Sequence, residues 1–247
     1  MDFQSLLLGA LMAAIATSIG AFAIILFKIK CKEGYSKLLA FAAGVMGFSA
    51  VEMFAQSHAL SGDITAVTGL AIGIVVLFLA EKSIPHMHRL VKKVEIEKSK
   101  KKAALIAGAI TIHNVPEGFA IAAAFAGSNP LGWLVATSIA IQDVPEGFMV
   151  AAPLVCYGMK QKRAIQFGIF SGVVEFFGAM VGFAFLSLVS ALGPIALAFS
   201  SGAMAYVVLV EIMPDAIRGG KEREASISFI LGAIVAFALA TLLGVTQ

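Results

Sequence analysis

Apolar stretches long enough to cross a bilayer recur along the chain at roughly 3–27, 38–60, 64–84, 103–127, 131–158, 164–188, 194–217 and 225–245. A helix needs about 20 largely apolar residues to span the hydrocarbon core. In lipid only helices and closed barrels satisfy every backbone N–H and C=O. Strand-like runs are absent, so the pattern predicts an all-α polytopic membrane protein with eight transmembrane helices. Composition agrees: the chain is 60% hydrophobic and 13% charged, with a mean hydropathy of +0.95, whereas soluble domains are about one quarter charged.

The placement of charge is more informative than its net value. All 18 Lys and Arg residues fall around the odd-numbered connections, at Lys28–Lys37, Lys82–Lys102, Lys160–Arg163 and Arg218–Arg223. The even-numbered connections, Ser57–Asp63, Gly127–Gly132 and Leu192–Pro194, carry none. Basic loops stay in the cytoplasm, so both termini are expected outside a plasma membrane (the inner membrane in a Gram-negative cell). Met1-Asp2 lacks the basic start of a signal peptide, and the first span is expected to be retained. Cys31 and Cys156 both fall at the cytoplasmic side, which argues against a disulfide framework. Residues 1–247 read as one transmembrane domain. The charged segment 85–102 is a cytoplasmic loop within it, with helix expected in Val91–Glu97. The lipid bilayer is the expected surrounding, and no nucleic-acid partner is expected.

Within this apolar background one segment occurs twice. His113-Asn114-Val115-Pro116-Glu117-Gly118-Phe119 returns as Gln142-Asp143-Val144-Pro145-Glu146-Gly147-Phe148. The copies fall mid-way through spans four and five, which run in opposite directions, so they meet near the midplane between helices related by an in-plane axis. Residues at i and i+4 share a helix face, which pairs His113 with Glu117 and Gln142 with Glu146. Asn114 and Asp143 lie about 100° round and still reach a neighbouring site. Pro116 and Pro145 each cost a helical hydrogen bond and are expected to bend the helix. Gly118 and Gly147 allow a neighbouring helix or a hydrated ion to come close.

An ionisable group at membrane depth costs about 2.5–3.5 kcal/mol on insertion scales and usually marks an ion or substrate path. Glu175 is a further midspan acid, and Glu52, Glu211 and Met12 are candidates for lining a path. No Lys or Arg occupies the interior of any span, so these carboxylates must be protonated or neutralised by a cation. Imidazole, carboxylate and amide oxygens suit Zn²⁺, Fe²⁺, Mn²⁺, Co²⁺ or Cd²⁺ rather than Cu⁺. The residues therefore point to a divalent metal ion as the transported species, with no catalytic cofactor and no enzyme activity. A metal-dependent hydrolase would need a motif such as His-Glu-x-x-His, which is missing. A proton-coupled carrier of an organic substrate is the remaining competitor.

The paired motif closely resembles that of the ZIP (Zrt-, Irt-like) metal transporters, in particular their prokaryotic GufA-like branch. The resemblance extends to Ile84-Pro85-His86-x-His88 and to Val210-Glu211-Ile212-x-Pro214. It implies a binuclear site between spans four and five. One metal would be held by His113, Glu117, Gln142 and Glu146. Asn114, Asp143 and Glu175 would hold the second, with Glu117 and Glu146 bridging, and His86, His88 and Glu211 would mark the cytoplasmic exit. It also implies import into the cytoplasm and a homodimer. Two features depart from the family: Val210 replaces a common His, and the third connection has no long His-rich tract.

Overall fold

Helices crossing at paired glycines organise this computed structural model, which describes residues 2–26, 35–91, 114–156, 158–217 and 220–242. The elements are α1 (Phe3–Leu26), α2 (Tyr35–Val91), α3 (helical over 114–127), α4 (Asn129–Cys156) and α5 (Gln161–Leu188). A 3₁₀ turn (Ser190–Leu192), α6 (Gly193–Tyr206), a π-helical segment (Val207–Ile212), α7 (Met213–Ile217) and α8 (Glu222–Leu242) complete the described chain. No strand occurs among the described residues. Six helical stretches among them are long and apolar enough to cross a membrane, making this an all-helical, multi-pass membrane protein.

The expected spans 38–60 and 64–84 both lie in α2, divided at Gly62 (φ 78°, ψ 177°). That backbone conformation favours glycine, because a Cβ would clash with the neighbouring carbonyl. Contrary to the expected end near residue 84, α2 continues through Pro85 to Val91. Beyond the hydrocarbon a helix need not stop where its apolar run stops. The expected helix at 91–97 lies, apart from Val91, outside the described residues. A second correction concerns Cys156, which is disulfide-bonded. The only other cysteine in the sequence, Cys31, is outside the described residues.

Small residues let membrane helices approach until backbone meets backbone. Gly20 packs on Val144 O and Gly147 on Thr17 O; Gly118 packs on Glu175 O and Gly178 on Val115 O. The same reciprocal contact joins Gly44 to Phe229 O and Gly232 to Phe41 O, and Gly73 to Phe199 O and Gly202 to Leu70 O. A Cβ at any of these eight glycines would lie 1.8–2.7 Å from the facing carbonyl oxygen. Helix α1 thereby packs on α4, α3 on α5, and the two halves of α2 on α8 and α6.

The chain order of these crossings exposes a long internal repeat. Thr17-x-x-Gly20, Phe41-x-x-Gly44 and Leu70-x-x-Gly73 are followed, in the same order, by Glu175-x-x-Gly178, Phe199-x-x-Gly202 and Phe229-x-x-Gly232. The first two intervals are equal and the third is one residue longer. The extra residue falls where the helix widens into the π segment Val207–Ile212, consistent with a single insertion accommodated as a π-bulge. Glu211 in that segment is thus the counterpart of Glu52 in α2. Residues that read as a short duplication are the centre of a repeat spanning most of the described chain.

Contacts at the two ends fix the bundle further. Lys37 Nζ pairs with Glu224 Oε2 at 2.8 Å, joining the starts of α2 and α8. At the other end Ser57 Oγ donates to Pro194 O at 2.7 Å. The glycine crossings generate a direct prediction. Gly147→Ala places a methyl against Thr17 backbone that cannot move aside, and should cost more than about 3 kcal/mol. Gly193→Ala meets only Ala126 Cβ, at 3.7 Å, and should leave thermal stability in detergent unchanged. Equal melting temperatures for the two variants would contradict this packing.

Candidate metal centre

The two crossings made by the duplicated motif decide what surrounds it. Because Gly118 sits on the backbone of Glu175, helix α5 turns that side chain toward α3 and α4. Because Gly147 sits on Thr17, helix α1 closes the other side. The helices themselves are not broken: α4 is continuous through Pro145, and 114–127 is helical through Pro116.

Asn114, Glu117, Gln142, Asp143, Glu146 and Glu175 are all buried, none more than 3% exposed. One carboxylate oxygen from each of Glu117, Asp143 and Glu146 lies within 4.8 Å of the other two. Gln142 Nε2 donates to Glu117 Oε1 at 2.6 Å, linking the two copies of the motif directly. The Asn114 amide reaches Glu146 and Glu175, and Ser171 Oγ donates to Asn114 Oδ1 at 3.3 Å. Thr17 Oγ1 lies 3.3 Å from Glu175 Oε2. Thr17 and Ser171 went unremarked in the sequence, where a lone hydroxyl in an apolar helix carries no signal.

The electrostatics of this cluster are one-sided. Glu117 and Asp143 each feel the charges of Glu146 and Glu175, while α1, α3 and α4 contain no Lys or Arg among their described residues. Glu117 Oε2, Gln142 Oε1, Glu175 Oε1 and both Asp143 carboxylate oxygens are buried without a hydrogen-bond donor. A buried polar atom left unpaired costs about 1–3 kcal/mol, and more when charged. The unpaired atoms of this cluster are all oxygens. A divalent cation, taking several oxygens at once and offsetting their charge, satisfies what the protein leaves unsatisfied.

The remaining sequence candidates fall elsewhere. His113 lies outside the described residues. His86 and His88 are in the last turns of α2, and their side chains lie outside the described set. Glu52 is half-buried and accepts a 3.1 Å hydrogen bond from Gln56 Nε2. Glu211 is half-buried in the π segment. Met12 packs against the apolar core.

The repulsion in the cluster generates a thermodynamic prediction. Glu175→Gln removes one of four crowded acids and should raise the melting temperature of the metal-free protein by a few degrees, since ~1 kcal/mol shifts a chain of this size by about 2–4 °C. The same change should shrink the stabilisation that added Zn²⁺ gives by mass action. A lower metal-free melting temperature with an undiminished Zn²⁺ response would count against the cation site.

Comparison with known proteins gives the chain a family. The family model described as ZIP zinc transporter matches residues 86–244. The zinc transporter GufA of Myxococcus xanthus is 35% identical over 250 residues, covering 96% of this chain and 98% of its own. The zinc transporter ZupT of Chlorobaculum parvum is 36% identical over 255 residues, covering 94% of this chain and 95% of its own. The human zinc transporter ZIP11 is 39% identical over 151 residues, 58% of this chain and 44% of its own. A family-model match over more than half the chain, with relatives of this identity aligned almost end to end, identifies the chain as a member of the ZIP family, a family of transporters rather than enzymes, on its GufA-like prokaryotic branch.

Proposed function

We propose that this protein moves divalent transition-metal ions, Zn²⁺ first and also Fe²⁺, Mn²⁺, Co²⁺ or Cd²⁺, into the cytoplasm through a binuclear site between α3 and α4. The observation that carries the reading is the approach of Glu117, Asp143 and Glu146 within 4.8 Å at the centre of apolar helices. An acid cluster without basic partners is unfavourable unless a cation visits it. The relatives named above, all zinc transporters, support the same cargo. One ion is assigned to His113, Glu117, Gln142 and Glu146. A second is assigned to Asn114, Asp143 and Glu175, and the two glutamates of the motif bridge both.

The chain acts as one transport unit over residues 1–247, with 85–102 as a cytoplasmic loop within it. Eight spans place both termini outside the plasma membrane, and the protein works as a homodimer. Lys37–Glu224 at one end and Ser57–Pro194 at the other support this topology, because they bring odd connections together at one face and even connections at the other. His86, His88 and Glu211 mark the cytoplasmic exit, and Glu52 takes the corresponding place on the other arm of the repeat.

Bridging carboxylates have no substitute in such a site. Glu117→Ala or Glu146→Ala should reduce uptake of radioactive Zn²⁺ into proteoliposomes to background. Metal ligands must also be deprotonated, so uptake by the unaltered protein should fall as pH drops through about 6.5, the ordinary range of imidazole. Undiminished flux in both single variants, or flux that is metal-independent, would overturn the proposal.

A further inference from the structure

The repeat places Thr17 of α1 at the position that Glu175 holds on α5: each lies three residues before a crossing glycine, Gly20 or Gly178, and each presents its carbonyl to a motif glycine. Both side chains are buried and they meet, with Thr17 Oγ1 3.3 Å from Glu175 Oε2. The same hydroxyl lies 3.1 Å from Ala13 O, one turn back on α1. A hydroxyl has one proton and two lone pairs, so it cannot donate to both oxygens at once. With its proton on Ala13 O, its lone pairs are free to face the Glu175 side.

The spacing suits a shared cation. Oxygen ligands held at ~2.1–2.4 Å by one octahedral metal stand about 3.0–3.4 Å apart along each edge. Glu175 Oε1 has no hydrogen-bond donor, so that carboxylate retains coordinating capacity. The Thr17 backbone is pinned by the Gly147 contact, and its branched side chain has few rotamers, which keeps the hydroxyl aimed. We propose that Thr17 Oγ is a metal ligand, the donor that α1 contributes to the subsite of Asn114, Asp143 and Glu175; the inference rests on the metal-transport reading above. Where the repeat has a carboxylate on one arm, it has a neutral, hard oxygen on the other. That oxygen adds coordination without adding charge and favours oxygen-preferring ions such as Mn²⁺ over softer Cd²⁺.

Three substitutions in the full-length purified protein test this, with Mn²⁺ and Cd²⁺ binding measured by equilibrium dialysis. Thr17→Ser keeps the hydroxyl and should bind both metals as the unaltered protein does. Thr17→Val keeps the shape, and should weaken Mn²⁺ binding about 10–100-fold and Cd²⁺ binding less. Thr17→Cys should tighten Cd²⁺ binding and add a thiolate-to-cadmium charge-transfer band to the ultraviolet spectrum, measured as a difference from the unaltered protein. A purely structural threonine would give no such band. Normal Mn²⁺ binding by Thr17→Val, or weakened binding without the cadmium–thiolate band in Thr17→Cys, would overturn direct ligation. If Thr17→Val binds normally while Glu117→Ala binds nothing, the transport reading stands and the Thr17 assignment alone falls. If the unaltered protein binds neither metal, the transport reading itself falls.

Discussion

Four acids held away from water, with no Lys or Arg beside them among the described residues, are the constraint on which the rest of this structure depends. Glu117, Asp143, Glu146 and Glu175 are each at most 3% exposed, and burial of charge is tolerated only with a partner. A basic residue in the cluster would have paid this cost permanently and left no role for an ion. Its place is instead taken by neutral donors: Gln142 to Glu117, and Asn114 to Glu146 and Glu175. Such groups orient carboxylates without neutralising them, which leaves the site receptive to a cation and able to release it.

The glycine crossings explain how four helices come close enough to build this cluster. A Cβ at Gly118 or Gly147 would lie about 2 Å from a facing carbonyl, so the acids of α3 and α4 can meet α5 and α1 only because those positions lack a side chain. The same device, repeated between α2 and α8 and between α2 and α6, joins the remaining helices to one another. One repeat thus serves packing at the periphery and coordination at the centre.

Much of the architecture was legible because the bilayer enforces it. The apolar runs 3–27, 131–158, 164–188 and 225–245 correspond within a turn to α1, α4, α5 and α8, since span length is set by membrane thickness. The motif residues stood out because charge is rare at that depth, and the structure brings Asn114, Glu117, Gln142, Asp143, Glu146 and Glu175 together. What escaped the sequence shared one physical cause. Thr17 and Ser171 are ordinary residues for an apolar helix until their neighbours are known. The long repeat survives mainly as glycines spaced from carbonyls, which have no side-chain signature. The helix through Pro85, the π segment and the disulfide-bonded Cys156 likewise leave no mark in the apolar pattern.

Metal transport by this route requires that metal occupy the acid cluster. Anomalous diffraction from crystals grown with Cd²⁺ counts and locates such ions without reference to activity. Two peaks among the side chains of Glu117, Asp143, Glu146 and Glu175 are the predicted result, one of them lost in the Asp143→Asn/Glu175→Gln double variant. Cadmium bound only at the protein surface, with none between α3 and α4, would contradict it.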